Sequence, residues 1–199
     1  MIAVLLVALA ATAGGIPACS TGAAQQNSSL PPAVGRDPAY HPVSSSSAAT
    51  VGAPIGRLRC TRDRREWFGA HVEVFANAQV VILPAGIGVA SPFVREGAYV
   101  RNGRCSYPVR TFEPTGVLQV DSRARLTLGD LFAVWGQPLS RSRLVGFRTC
   151  GRERVRAYVD GRPWRGDLRA IPLRRHAQIV LEIGDYVPPH RTYRFPRGL

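Results

Sequence analysis

His71-Val72-Glu73-Val74-Phe75-Ala76-Asn77-Ala78-Gln79-Val80-Val81-Ile82-Leu83 is the stretch on which the fold turns. Residues 71–75 alternate, which sends Val72 and Val74 to one face of an extended strand. Asn77-Ala78 stands where a hairpin turn belongs, and an apolar run follows at 80–83. Pro84-Ala85-Gly86-Ile87-Gly88 then stops that second run. The same grammar recurs downstream. Val117-Leu118-Gln119-Val120 is a short strand. Residues 154–159 alternate into Asp160-Gly161, a strong hairpin signal, and Gln178 to Ile183 forms a last strand before Gly184. Residues 72–77 and 155–160 echo each other, which is either a pair of related hairpins in one sheet or coincidence.

Between these strands one segment has helical spacing. Leu128, Leu131, Phe132 and Trp135 recur on one face, Thr127 stands as N-cap with Asp130 in the capping-box position, and Gly136 ends the run. The pattern predicts an α+β domain that is mainly β, with a small mixed or antiparallel sheet and one short packed helix over about 127–135. At 199 residues and 45% hydrophobic content the chain suits one domain and is too apolar for wholesale disorder.

The N-terminus speaks to compartment. Residues 2–13 form an apolar run shorter than the roughly 20 residues of a transmembrane helix. That length suits a signal-peptide core. Ile16-Pro17-Ala18-Cys19 resembles the lipobox of bacterial lipoproteins, in which the Cys is lipidated and becomes the mature N-terminus. Pro17 and the lack of an early basic residue depart from that pattern. Ordinary cleavage after Ala18 and a retained anchor are the alternatives, and all three place the body outside the cytoplasm. The expected organisation is a signal peptide over 1–18, a Ser/Ala/Pro-rich tether over 19–53, and a domain over 54–199. With Cys19 assigned to lipid, Cys60, Cys105 and Cys150 remain, with no Cys-x-x-Cys spacing to indicate zinc. One disulfide plus one thiol is the simplest count: Cys60–Cys105 with Cys150 buried and free, or Cys105–Cys150 as the rival.

The net charge is +13 from 26 basic residues, and every one is Arg. Clusters lie at 62–65, at 141–156 and at 174–175. They are either solvated positions of an Arg-favouring composition or a surface that attracts anionic lipid or a cell-wall polymer. No nucleic-acid partner is expected, because no recognition helix, zinc finger or RNA-binding aromatic signature is present. Catalytic motifs are absent too: there is no Gly-x-Ser-x-Gly, no His-Glu-x-x-His and no P-loop.

From Cys60 to Leu199 the chain resembles a family of bacterial exported proteins of unknown activity. Pro84-Ala85-Gly86-Ile87-Gly88, the Leu128–Leu139 segment with its Trp135-Gly136-Gln137-Pro138-Leu139 end, Ile171-Pro172-Leu173-Arg174-Arg175-His176 and the Phe195–Leu199 end carry the resemblance. In that family a His-x-His-x-His strand, a His-Thr-His-Asp segment and a further His imply a transition metal ion site. Here those positions read Trp67, Gly69, His71, then Arg110, Thr111, Phe112, Glu113, then Gln119. His71, Glu113 and His176 remain as the weak candidate ligands. The expectation is an exported, lipid-anchored, non-catalytic envelope domain, held at the membrane by its N-terminal lipid. A metal-binding envelope protein with a degenerate site is the alternative, and an enzyme with an unrecognised site is a third reading.

Overall fold

The computed structural model describes residues 45–63 and 65–199. The secondary structure comprises the helices α1 (Ser47–Val51) and α2 (Leu128–Trp135), a 3-10 turn at Leu168–Ala170, and twelve strands. The strands are β1 (Trp67–Ala76), β2 (Gln79–Val80), β3 (Phe93–Glu96), β4 (Tyr99–Gly103), β5 (Val109–Arg110), β6 (Val117–Asp121), β7 (Leu139–Ser140), β8 (Arg143–Leu144), β9 (Phe147–Arg148), β10 (Arg156–Val159), β11 (Arg162–Pro163) and β12 (Gln178–Ile183). The main sheet runs β11-β10-β12-β1-β6-β5, with β2 also on β1. It is mixed: β12 joins β1 in parallel, and the other pairs are antiparallel. The fold is therefore α+β and mainly β, with one helix longer than a turn or so.

β1 organises the sheet. Its first half, Trp67 to His71, pairs with β6, and its second half, His71 to Ala76, pairs with β12 on the opposite edge. Alternate residues face opposite sides. Phe68, Ala70, Val72, Val74 and Ala76 enter the main core. The other face carries Trp67, Gly69, His71 and Glu73, and the C-terminal residues cover it: Tyr193 stacks on His71 and His190 bonds Glu73. Asn77 and Ala78 both have positive φ in the β1–β2 turn, and so do Asp160 and Gly161 in the β10–β11 turn. The two echoing segments are thus two tight hairpins of one sheet.

α2 closes the core side. Leu128, Leu131, Phe132 and Trp135 are fully buried. Asp130 Oδ2 accepts from the Thr127 amide at 2.9 Å and from its hydroxyl at 3.2 Å, which holds the first turn closed. Gly136 ends the helix at φ 77°, where a side chain would sit 2.8 Å from Ser46. That contact corrects the expected tether boundary. Residues 47–51 form α1, Ala49 is fully buried, and the Ser46 amide donates to the Val134 carbonyl. An Ala-rich segment without large side chains is what can lie this close against a helix end. The rest of the expected tether and the signal peptide lie outside the described residues.

Cys60 and Cys105 are joined, with Cα atoms 5.5 Å apart across a separation of 45 residues. In the chain-entropy relation a loop of that length contributes about 4 kcal/mol. Cys150 is half-buried and itself disulfide-bonded, which corrects the free buried thiol expected there. The 80–83 strand is also shorter than expected. Only Gln79–Val80 pairs as strand, and Val81 to Leu83 continue toward Pro84, with Val81 and Leu83 buried.

Glu182 is fully buried on β12 opposite Arg156, whose Nε donates to it at 3.1 Å. Burial pushes its carboxyl above the usual range, and Arg156 and the Val187 amide only partly oppose this. A carboxyl with a raised folded pKa is proton-hungry in the folded state. Its contribution to stability falls as pH rises from 4.5 through the folded value. In urea unfolding, the stability of the natural protein minus that of Glu182→Gln should therefore shrink as pH rises across this window. A difference that grows with pH would contradict the assignment.

Candidate anion-binding cleft

The cleft begins with a register. Gly69 on β1 lies opposite Gln119 on β6, and Gln119 lies opposite Arg110 on β5. One row across three strands thus joins residues 69, 119 and 110. Here the row reads Gly, Gln and Arg. Arg110 donates to Gln119 Oε1 from Nε at 3.1 Å and from Nη2 at 2.9 Å, and from Nη1 to the Ser106 hydroxyl at 3.1 Å. Its guanidinium carbon lies 3.8 Å from the centroid of the Trp67 ring and 4.4 Å from that of Phe112. Arg65 approaches the same Trp67 ring at 5.7 Å and pairs with Asp121 at 3.3 Å.

Among the described residues, Arg110 makes no such pair with a carboxylate. The aromatic faces and the Gln119 oxygen supply partial negative charge, but no full one. Burial, and then the proximity of Arg65, lower its pKa to about 10, so it remains a cation at neutral pH. The cleft in front of it encloses about 440 Å³, with Thr61, Arg62, Asp63, Arg104, Ser106 and Phe112 on its walls. The Cys60–Cys105 disulfide fixes one side. Next to it the Thr61 and Ser106 backbones bond each other twice, and Arg62 Nε donates to the Arg104 carbonyl at 2.8 Å. A second depression of about 370 Å³ shares Arg62 and Arg104 and extends the cleft past Pro92 and Val94 at the base of the β3–β4 hairpin.

The candidate metal ligands sit elsewhere. His71 is buried at the crossing of the β6 and β12 pairings. Its Nε2 lies 2.7 Å from the Thr115 carbonyl and its Nδ1 lies 2.8 Å from the Gln178 side-chain amide. A carbonyl only accepts, so Nε2 carries the proton. Gln178 Nε2 is buried without a partner as placed, so turning that amide over gives Nδ1 its donor. Both ring nitrogens are then engaged, and the ring face is covered by Tyr193 at 3.8 Å. Glu113 is half-buried and also adjoins Tyr193, whose phenol pKa burial raises first and Glu113 second. His176 is exposed at a positive-φ turn, donates from Nε2 to the Leu199 backbone oxygen at 2.7 Å and stacks on Phe195. Among the described residues no group of three or more His, Cys, Asp or Glu side chains is arranged to hold a metal ion.

The Arg clusters do not form one stripe. Arg65 and Arg156 are held in ion pairs, and Arg141 binds the Val155 and Gly166 carbonyls. Arg175 lies over Phe68. Arg62, Arg104, Arg143, Arg148 and Arg152 are exposed. The role of Arg110 is invisible to motif reading. The signal that could have found it is Arg110 two residues before Phe112, a spacing that puts both on one face of an extended segment. No family model matches the chain, and neither a curated protein nor a solved structure matches it.

Gly69 shows why the C-terminal residues matter to this face. A Cβ there would lie 2.6 Å from the Phe195 ring and 3.1 Å from Leu199. Gly69→Ala should destabilise the domain by about 1–3 kcal/mol through overpacking. It should also open residues 190–199 to carboxypeptidase, while Ala70→Gly, on the opposite face, leaves them protected. Unchanged protection in Gly69→Ala would show that the tail does not rest on β1.

Proposed function

We propose that this chain is an exported, non-catalytic envelope domain that associates with anionic envelope components through its arginines. The observation that carries this reading is Arg110, a half-buried cation with no carboxylate in contact among the described residues, at the head of a cleft whose described walls add Arg62 and Arg104 against Asp63. The disulfide between Cys60 and Cys105 suits an oxidising compartment. The apolar run at 2–13 supports export, and the Ile16–Cys19 segment supports lipid attachment at Cys19. On this reading the lipid holds the domain within reach of the charged surface it binds.

The state of Cys150 favours a second reading of the N-terminus. Cys60 and Cys105 hold each other and Cys150 is disulfide-bonded, and Cys19 is the one further cysteine in the sequence. The Cys19 sulfur can carry a thioether-linked lipid or a disulfide, not both. In the second reading the protein is cleaved after Ala18 and released. Mapping of disulfide-linked peptides on the exported protein, together with lipid labelling of Cys19→Ala, separates the two. Lipid on a peptide beginning at Cys19 supports the anchor. A Cys19–Cys150 peptide with no label overturns it.

Association with the envelope has its own test. Each arginine near an anionic surface contributes about 1 kcal/mol, so removal of one cation should weaken binding roughly five-fold. The protein should sediment with anionic vesicles and not with zwitterionic ones. Binding should be lost near 1 M salt, where the screening length falls to about 3 Å. Equal binding to both vesicle types, or none to either, would contradict the reading.

A further inference from the structure

We propose that the cleft in front of Arg110 is a specific site for a phosphoryl ester, a phosphate group carried on a small organic moiety. The proposal rests on the envelope reading only for the source of that ester. The cavity, about 440 Å³, has the size of a small-molecule site rather than a bare ion site. Three guanidinium groups, Arg62, Arg104 and Arg110, stand against one carboxylate, Asp63. Two hydroxyls, of Thr61 and Ser106, lie on the same walls. A tetrahedral phosphate accepts hydrogen bonds from several directions at once, whereas a planar carboxylate matches one guanidinium edge. Donors spread over three side chains therefore suit phosphate.

The donors are also held in place. Arg110 uses three of its five N–H groups on Gln119 and Ser106, and its ring stacking fixes the plane of the rest. Arg62 is tied to the Arg104 carbonyl, and Arg104 to the Val51 carbonyl, so each is anchored by one bond with further N–H groups to offer. The lowered pKa of Arg110 reflects a cation stripped of water and then crowded by Arg65, and an incoming dianion opposes that effect. Phe112 and Val89 form an apolar wall, and the adjoining depression at Pro92 and Val94 continues it. The organic part of the ester has room there. The site is distinct from the positions of His71, Glu113 and His176.

The test uses the full chain, with calorimetric titration of inorganic phosphate and glycerol 3-phosphate, and sedimentation with phosphatidylglycerol vesicles. The variants are Arg110→Gln, the pair Arg62→Gln with Arg104→Gln, and a control pair at Arg148 and Arg152, outside the cleft. The Arg62/Arg104 pair is exposed, so it keeps the test decisive if Arg110→Gln fails to fold. We expect saturable binding of glycerol 3-phosphate, weakened about ten-fold or more in the cleft variants and unchanged in the control pair. No saturable binding, or equal loss in the control pair, overturns the site. Ester binding without vesicle binding upholds the site with a soluble ester as ligand and refutes the envelope reading. Vesicle binding that ignores the cleft variants, with no ester binding, does the reverse.

Discussion

The structure depends on how β1 is shared. One ten-residue strand pairs with β6 along its first half and with β12 along its second, and His71 is the residue at which one pairing gives way to the other. A strand placed at the centre of a mixed sheet has to be covered on both faces. α2 and its core neighbours cover one face. The C-terminal residues cover the other, through Tyr193 on His71 and Phe195 over Gly69. Residues 190–199 are therefore part of the fold. His71 serves as a joint, binding the Thr115 carbonyl before β6 and the Gln178 side chain at the start of β12.

The same arrangement sets where charge collects. Every cation on this protein is a guanidinium, and a guanidinium can stack, fork and cap carbonyls at once. Arg65, Arg141 and Arg156 use those abilities to hold the fold together. Arg110 uses the stacking and the fork but finds no carboxylate among the described residues, because its row partner is Gln119 and its neighbours are Trp67 and Phe112. The β3–β4 hairpin and the disulfide then build walls around that charge, with Arg62 and Arg104 among the lining residues.

Much of the fold was legible in sequence where a residue pattern decides the conformation alone. β12 spans Gln178–Ile183, the apolar run that sequence ends at Gly184, and α2 lies between its caps Thr127 and Gly136 because capping chemistry is local. The 77–78 and 160–161 turns follow from residues that tolerate positive φ or abut one that does. What escaped has no such pattern. β5, β7, β8, β9 and β11 are two residues each, too short for any periodicity. The β3–β4 hairpin shifts register between Val94 and Arg95, which breaks alternation. α1 looked like tether because it is held by Gly136 and Val134, far away in sequence. The cleft was hidden for a similar reason: residues 61–63, 102–106, 110 and 112 meet only in space. The candidate ligands His71, Glu113 and His176 were visible as residue types, yet His71 is held by Thr115 and Gln178 and His176 by Leu199, and sequence carries no trace of those ties.

An all-arginine surface allows the central claim to be read directly, through the side-chain Nε–Hε resonances of the full chain during titration with glycerol 3-phosphate. Localised recognition predicts saturable shifts confined to Arg62, Arg104 and Arg110, with the Arg110 resonance protected from exchange before any ligand is added. Small shifts that rise without saturation and spread evenly over exposed arginines such as Arg143, Arg148 and Arg152 would contradict it. They would mean that the charge acts as a diffuse cloud and that the cleft holds nothing of its own.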